Sequence, residues 1–228
     1  MKTKVIFLGQ AGLYFEIGGL KIIIDPYLSN SVGEIDSKKN RRQPINSQWL
    51  LAEPDVLIFT HNHLDHYDEQ TVKHYLSSNS KVVVLSPRSV WDRVRLFGGE
   101  NNYVQFNSGT IWTQASVSFE AVKAEHSDLE AIGVVISANN ENYYVTGDTL
   151  YSKKVLNSLP KVNIKVIFLP INGVGNNMNA CDAARFAKEI NAKNVVPIHF
   201  GLFDGMTGQE LKLENVIIPK IYEEVELK

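Results

Sequence analysis

The sequence predicts an α/β (α+β) fold, a four-layer αββα sandwich, and two observations lead there. Strand-like runs fill the first third, βα units follow, strands return from about residue 103, and βα units close the chain. Each half can therefore build its own sheet with helices outside it. The length of 228 residues suits one layered domain better than two, and no linker, repeat or low-complexity segment divides it. Residues 1–228 are expected to form one domain. Periodicity alone leaves a single doubly wound sheet open.

The elements follow in order. "VIFLG", "GLYFEI" and "KIIIDP" are short β-rich runs punctuated by glycines, and Gly18-Gly19 between the last two predicts a hairpin. Residues 29–54 turn polar and irregular, with "SKKNRRQP" at their centre. A connection of that length is usually functional or mobile. "DVLIFT" reads as a buried strand, "DEQTVKHYLSS" (68–78) as a helix with an acidic first turn, and "KVVVLS" as a strand. "RSVWDRVRLFG" reads as a helix stopped by Gly98-Gly99. From Tyr103 to Thr146 the pattern returns to strands, with "SVSFEAVKA" and "NYYVTGD" alternating around a continuous "IGVVIS". The strand "KVIFLP", a helix over 180–192 capped by Asn179, and the strand "NVVPIHF" complete the pattern.

Composition excludes several classes. A net charge of −2 gives no global attraction to nucleic acid or anionic membrane. No stretch approaches the roughly 20 apolar residues of a membrane span, and the apolar run before Gly9 is too short for a signal-peptide core. The single cysteine, Cys181, rules out an internal disulfide framework and fits a reducing compartment, so a cytoplasmic location is expected. Cys181 itself reads as a small residue on a packed helix. Any metal must be held mainly by nitrogen and oxygen.

The chain has six histidines, and three of them fall in "HNHLDH", residues 61–66. The motif follows a buried strand, at the end where α/β enzymes build sites. His61 and His63, two apart in an extended turn, can aim at one ion, and Asp65 and His66 at a second. Imidazole and carboxylate suit Zn²⁺, Mn²⁺ or Fe²⁺. A chance match should occur on the order of once in five thousand chains of this composition, so a coincidental polar loop is the weaker account.

"THNHLDH" resembles the signature of the metallo-β-lactamase superfamily, and the remaining motifs occur in order: Asp25 in "IIIDP", His126 in "KAEHSD", Asp148 in "YYVTGDT" and His199 in "VVPIHF". The resemblance runs from Phe7 to about Phe203. It implies the αββα sandwich, one ion on His61, His63 and His126, and a second on Asp65, His66 and His199. Asp148 would bridge the two, with a shared water or hydroxide as nucleophile. Asp65 would hold or relay the proton, and Asp25 would orient a ligand, although Asp25 before Pro26 could also simply start a turn. His74 reads as a surface helix residue.

Within the superfamily, His63 stands where flavodiiron oxidoreductases carry Glu, and 228 residues leave no room for the inserted domain of RNA-processing relatives. "LPINGVGNNMNACDAARFAKEINAKNVVPIHF" is similar to the L-ascorbate-6-phosphate lactonase-like hydrolases. This chain is much shorter than the named lactonase, so that enzyme's substrate does not transfer; the expectation is a hydrolase of a small, anionic substrate, lactone or phosphodiester bonds leading, with two divalent ions, Zn or Mn, Fe also fitting. The similarity also suggests a homo-oligomer. A nuclease or cyclic-nucleotide phosphodiesterase of the same fold is the alternative, disfavoured by the net charge. A non-catalytic metal- or ligand-binding protein is a further one. Lys38 to Arg42 could bind an anionic substrate or be a solvated charge run. Asn172, Asn176 and Asn177 could face substrate. Trp49 and Phe203 could wall the site or pack in the core.

Overall fold

The computed structural model describes residues 3–76 and 80–227. Strands β1 (Lys4–Gly9), β2 (Gly12–Ile17), β3 (Leu20–Ile24), β4 (Val56–Ile58), β5 (Val83–Ser86) and β6 (Asn102–Gln105) form one sheet in chain order. Strands β7 (Ile111–Gln114), β8 (Val117–Lys123), β9 (Ile132–Ala138), β10 (Glu141–Val145), β11 (Val166–Pro170) and β12 (Asn194–Ile198) form the second, also in chain order. Each sheet begins antiparallel and ends parallel, the change falling at β3–β4 in one and β10–β11 in the other. The hairpin at Gly18-Gly19 is present, with Ile17 opposite Leu20.

Alternation along the strands separates the layers. Ile22, Ile24, Val56 and Ile58 face inward and meet Val134, Ile136, Phe168 and Ile198 of the other sheet. Each such fully buried side chain contributes roughly 1.5–3 kcal/mol relative to exposure. The intervening residues Ile23, Leu57 and Val84 face outward, under α2 (Glu69–Val72) and α3 (Arg88–Val94). Ile167, Leu169 and Val195 face outward under α4 (Lys153–Ser158) and α5 (Ala180–Ile190). Three apolar interfaces between four layers make the αββα sandwich. The sequence of α5 fits its place: Ala183, Phe186 and Ala187 are buried at i, i+3 and i+4, and Asn179 caps its first turn through Asp182 N–H.

Four readings change. The helix expected over 68–78 is regular only over Glu69–Val72 and continues as turns to Tyr75, while Ser77 and Ser78 lie outside the described residues. Asp68 caps it by accepting from Gln70 N and Thr71 N, and Thr71 Oγ1 in turn accepts from Leu28 N at 2.9 Å. That anchoring ties the short helix to the loop after β3. Strand β6 closes the first sheet, parallel to β5, rather than opening the second half. Residues 29–54 hold the short helix α1 (Ser31–Ile35) and two 3-10 turns, fastened by Arg41 Nη1, which donates to Tyr27 O at 2.8 Å. Cys181 is exposed on α5, not packed.

Candidate metal centre

One edge of the sandwich collects the C-terminal ends of β3, β4, β8, β10, β11 and β12, where parallel and mixed sheets open toward solvent. Asp25 follows β3, residues 59–68 follow β4, His126 follows β8, Asp148 follows β10, residues 172–177 follow β11, and His199 follows β12. The approach of the two sheets depends on Gly147. Its φ is +60°, and a Cβ there would lie 2.8 Å from both Ile132 O and Thr60 Cβ. Only glycine accepts that conformation and contact without strain. Gln10, Asp25 and His199 also have positive φ, at 52°, 45° and 57°, so local strain is concentrated at this edge.

All seven residues singled out by sequence meet here. Donor atoms of His61, His63, His126 and Asp148 lie within 4.8 Å of one another, as do those of Asp65, His66 and His199. Asp148 lies between the groups: Oδ2 is 4.0 Å from His61 Nε2, 3.9 Å from His126 Nε2 and 3.2 Å from His199 Nε2, while Oδ1 is 3.3 Å from His66 Nε2. His199 Nε2 is also 3.1 Å from Asp65 Oδ2.

The far sides of the rings are held by the protein. His66 Nδ1–H donates to Asp25 Oδ2 at 2.8 Å. Thr60 Oγ1–H donates to the same oxygen at 2.5 Å, leaving its lone pairs to accept from His61 Nδ1–H at 3.0 Å. Thr60 N–H donates to Asp25 Oδ1 at 2.8 Å. His126 Nδ1–H donates to the Asn176 carbonyl at 3.2 Å. Each bond to an Nδ1 aims the opposite ring nitrogen, Nε2, toward the centre.

Those inward atoms test whether metal ions fit. His61 Nε2, His66 Nε2 and Asp148 Oδ1 are buried and make no hydrogen bond, the last two facing each other at 3.3 Å as an ion pair. Buried polar atoms without hydrogen bonds are costly, about 1–3 kcal/mol each. Three converging on one space, all nitrogen or oxygen donors, match what a divalent cation requires.

The electrostatics agree. Burial, reinforced by the neighbouring His66, holds the His61 pKa well below the ordinary histidine value. Burial also opposes charge on His66, but Asp148, Asp25 and Asp65 outweigh it and push that pKa well up. For His199, burial is outweighed by Asp148 and Asp65, and the pKa rises to about 9. Burial disfavours the Asp148 charge, yet His199 and His66 hold that carboxyl well below its usual range. Asp65 is lowered likewise, against burial, by His66 and His199.

A cavity of about 520 Å³ opens onto the centre. Asn172, Asn176, Asn177 and Phe203 line it. Trp49 packs on Tyr14 instead, ring centroids 5.1 Å apart. From the basic run only Lys39 lines the cavity. His74 is exposed. Sequence reading missed Thr60, Gln10 and the Asn177 contact to Asp148. Thr60 immediately precedes the histidine motif, which was a usable signal. Gln10 Nε2 donates to Asp65 Oδ2 at 2.8 Å, and Asn177 Nδ2 donates to Asp148 Oδ2 at 2.7 Å.

Among the described residues no helix is long and apolar enough to cross a membrane. Residues 21–200 match the family described as Beta-lactamase superfamily domain. A relative from Thermoplasma volcanium, named a UPF0173 metal-dependent hydrolase, is 28% identical, with 100% of each chain covered. Among solved structures, Igni18, a metallo hydrolase from Ignicoccus hospitalis, is 20% identical and covers 98% of both chains with a TM-score of 0.78. YhfI from Bacillus subtilis, described as a metallo-beta-lactamase fold protein, is 18% identical, covers 99% of this chain and 100% of its own, and has a TM-score of 0.75. At these identities the two structures speak for the fold alone.

Proposed function

The chain belongs to the beta-lactamase superfamily, and from that premise we propose that it is a metal-dependent hydrolase using two divalent ions. The carrying observation is the set of buried donor atoms without hydrogen bonds, His61 Nε2, His66 Nε2 and Asp148 Oδ1, facing the centre where two His/Asp clusters meet. His61, His63 and His126 would hold one ion and Asp65, His66 and His199 the other, with Asp148 lying between the two groups. When bound, such ions, zinc or manganese with iron also suited to the donors, would supply a hydroxide nucleophile at neutral pH.

The protein's own groups do the rest. Asp25 and Thr60 keep His66 and His61 in the binding tautomer. Asp65, which lines the cavity, would hold or relay the proton. Asn177 steadies Asp148 from the cavity side. The substrate is small, in keeping with a cavity of about 520 Å³. Lys39 at its wall would pair with an anionic group, and a lactone or phosphodiester is the bond class proposed. The lactonase-like grouping rests on the sequence of the segment that contains the 172–177 loop, whose asparagines line the cavity. The working unit is the whole chain as one domain, since the ligands come from both sheets. A cytoplasmic setting rests on the single, exposed Cys181. A homo-oligomer rests on the lactonase resemblance only.

The test is a turnover screen of Zn- or Mn-loaded protein against lactones, small phosphodiesters, cyclic nucleotides and RNA. Chelator-sensitive hydrolysis of a lactone or small phosphodiester supports the reading. Salt-dependent RNA cleavage moves it to the nuclease alternative. A folded, metal-loaded protein that hydrolyses none of them leaves a binding protein.

A further inference from the structure

We propose that Gln10 is a positioning residue of the second ion site, holding Asp65 and His199 in place and so setting that site's affinity. The proposal rests on the two-ion reading above. Gln10 is 2% exposed, in the turn between β1 and β2, and lines the cavity. The β1–β2 register shifts between Phe7 and Gly9, and Gly9 and Gln10 both take positive φ, at 96° and 52°. That bulge turns a side chain from the end of β1 into the centre rather than along the sheet.

Gln10 grips both partners. Its amide nitrogen donates to Asp65 Oδ2 at 2.8 Å. A carboxylate oxygen only accepts, so the amide must face it with nitrogen. The same nitrogen is 3.2 Å from His199 Nδ1 and 3.1 Å from His199 Nε2. Near-equal distances to the two ring nitrogens put the amide over the face of the imidazole, not in line with its Nε2 lone pair. The ring is therefore held while the direction an ion needs stays free. The backbone adds a third tie, because His199 N–H donates to Gln10 O at 2.5 Å. Residues of the first site have no contact of this kind with Gln10 among the described residues. The two sites thus differ in support: Asn176 stands behind the first and Gln10 behind the second, while Asp25 reaches His66 directly and His61 through Thr60.

Partners standing behind metal ligands typically carry 10–100-fold in affinity. The test is calorimetric titration of chelator-treated full-length protein with Zn²⁺ and, separately, Mn²⁺, for wild type, Gln10→Ala and Gln10→Met. Methionine fills a similar volume but cannot donate, so it separates hydrogen bonding from packing and serves if alanine impairs folding. The expected result is a second equivalent weakened about 10–100-fold in both variants, with the first unchanged within about twofold. A Gln10→Met protein that takes its second equivalent like wild type overturns the proposal. So does equal weakening of both equivalents. A wild type that binds one equivalent only overturns the two-ion reading itself, and the proposal with it.

Discussion

His66 and Asp25 meet 2.8 Å apart, Nδ1 to Oδ2, with both side chains almost wholly buried. The same Asp25 oxygen accepts from Thr60, whose hydroxyl backs His61. One carboxylate from the end of β3 therefore orients a ligand of each proposed ion. It accepts three hydrogen bonds, from Thr60 N–H, Thr60 Oγ1–H and His66 Nδ1–H.

Asp25→Asn should disable this arrangement although it hardly changes volume. An amide NH₂ must face either Thr60 N–H or the donors at the other oxygen, and neither orientation serves all three. His66 would lose its fixed tautomer. Metal affinity should fall about 10–100-fold, read by competition with a chromophoric chelator. Wild-type affinity in the variant would show that Asp25 only shapes the turn.

Metal binding should release protons. His199, with its pKa pushed up to about 9, carries a proton at neutral pH in the apoprotein, and His66 does so too. An ion must expel them. Affinity should rise by about tenfold or more per pH unit between pH 7 and 9, and calorimetry in buffers of differing ionisation enthalpy should count the released protons. For the chelated protein the sign is opposite. A raised histidine pKa stabilises fully below the unfolded value and ceases to as pH passes about 9. Apoprotein stability should therefore decline over that window, while metal protects increasingly.

Gly147→Ala should destabilise the fold by more than about 1 kcal/mol in urea unfolding. The cost comes from its φ of +60° and from contacts at 2.8 Å with Ile132 O and Thr60 Cβ. Because Thr60 backs His61, metal affinity should fall as well. An unchanged midpoint would contradict this account of how Asp148 reaches the histidine loop.

Lys39 and Arg41 should separate. Lys39 is exposed at the cavity, whereas Arg41 donates to Tyr27 O at 2.8 Å and Tyr222 Oη at 3.3 Å. Lys39→Ala should weaken inorganic phosphate binding to metal-loaded protein several-fold and leave Tm unchanged. Arg41→Ala should lower stability by about 1–3 kcal/mol. Equal phosphate binding by Lys39→Ala would remove the anionic feature from the proposed substrate.

Much of this was legible in the sequence. Strand runs, glycine punctuation and the Asn179 cap are local signals, and they specify the layers and the hairpin. The histidine motif sits in one short loop, so the order of residues along the chain is enough to name its members. What was not legible is non-local. Gln10 gains meaning only because β1 and β12 end side by side across the two sheets. Thr71 ties its short helix to Leu28, 43 positions away in the chain. Strand β6 has ordinary strand chemistry, and only its pairing with β5 tells which sheet it joins. Trp49 and Phe203 were alike as candidate walls, and tertiary packing alone distinguished them.

The most direct test of the central claim is metal content, by elemental analysis, of protein purified without added metal, beside His61→Ala. The account predicts near two equivalents of Zn, Mn or Fe per chain, lost or halved in the variant. A folded wild type that carries no metal and takes up neither Zn²⁺ nor Mn²⁺ on titration would contradict it.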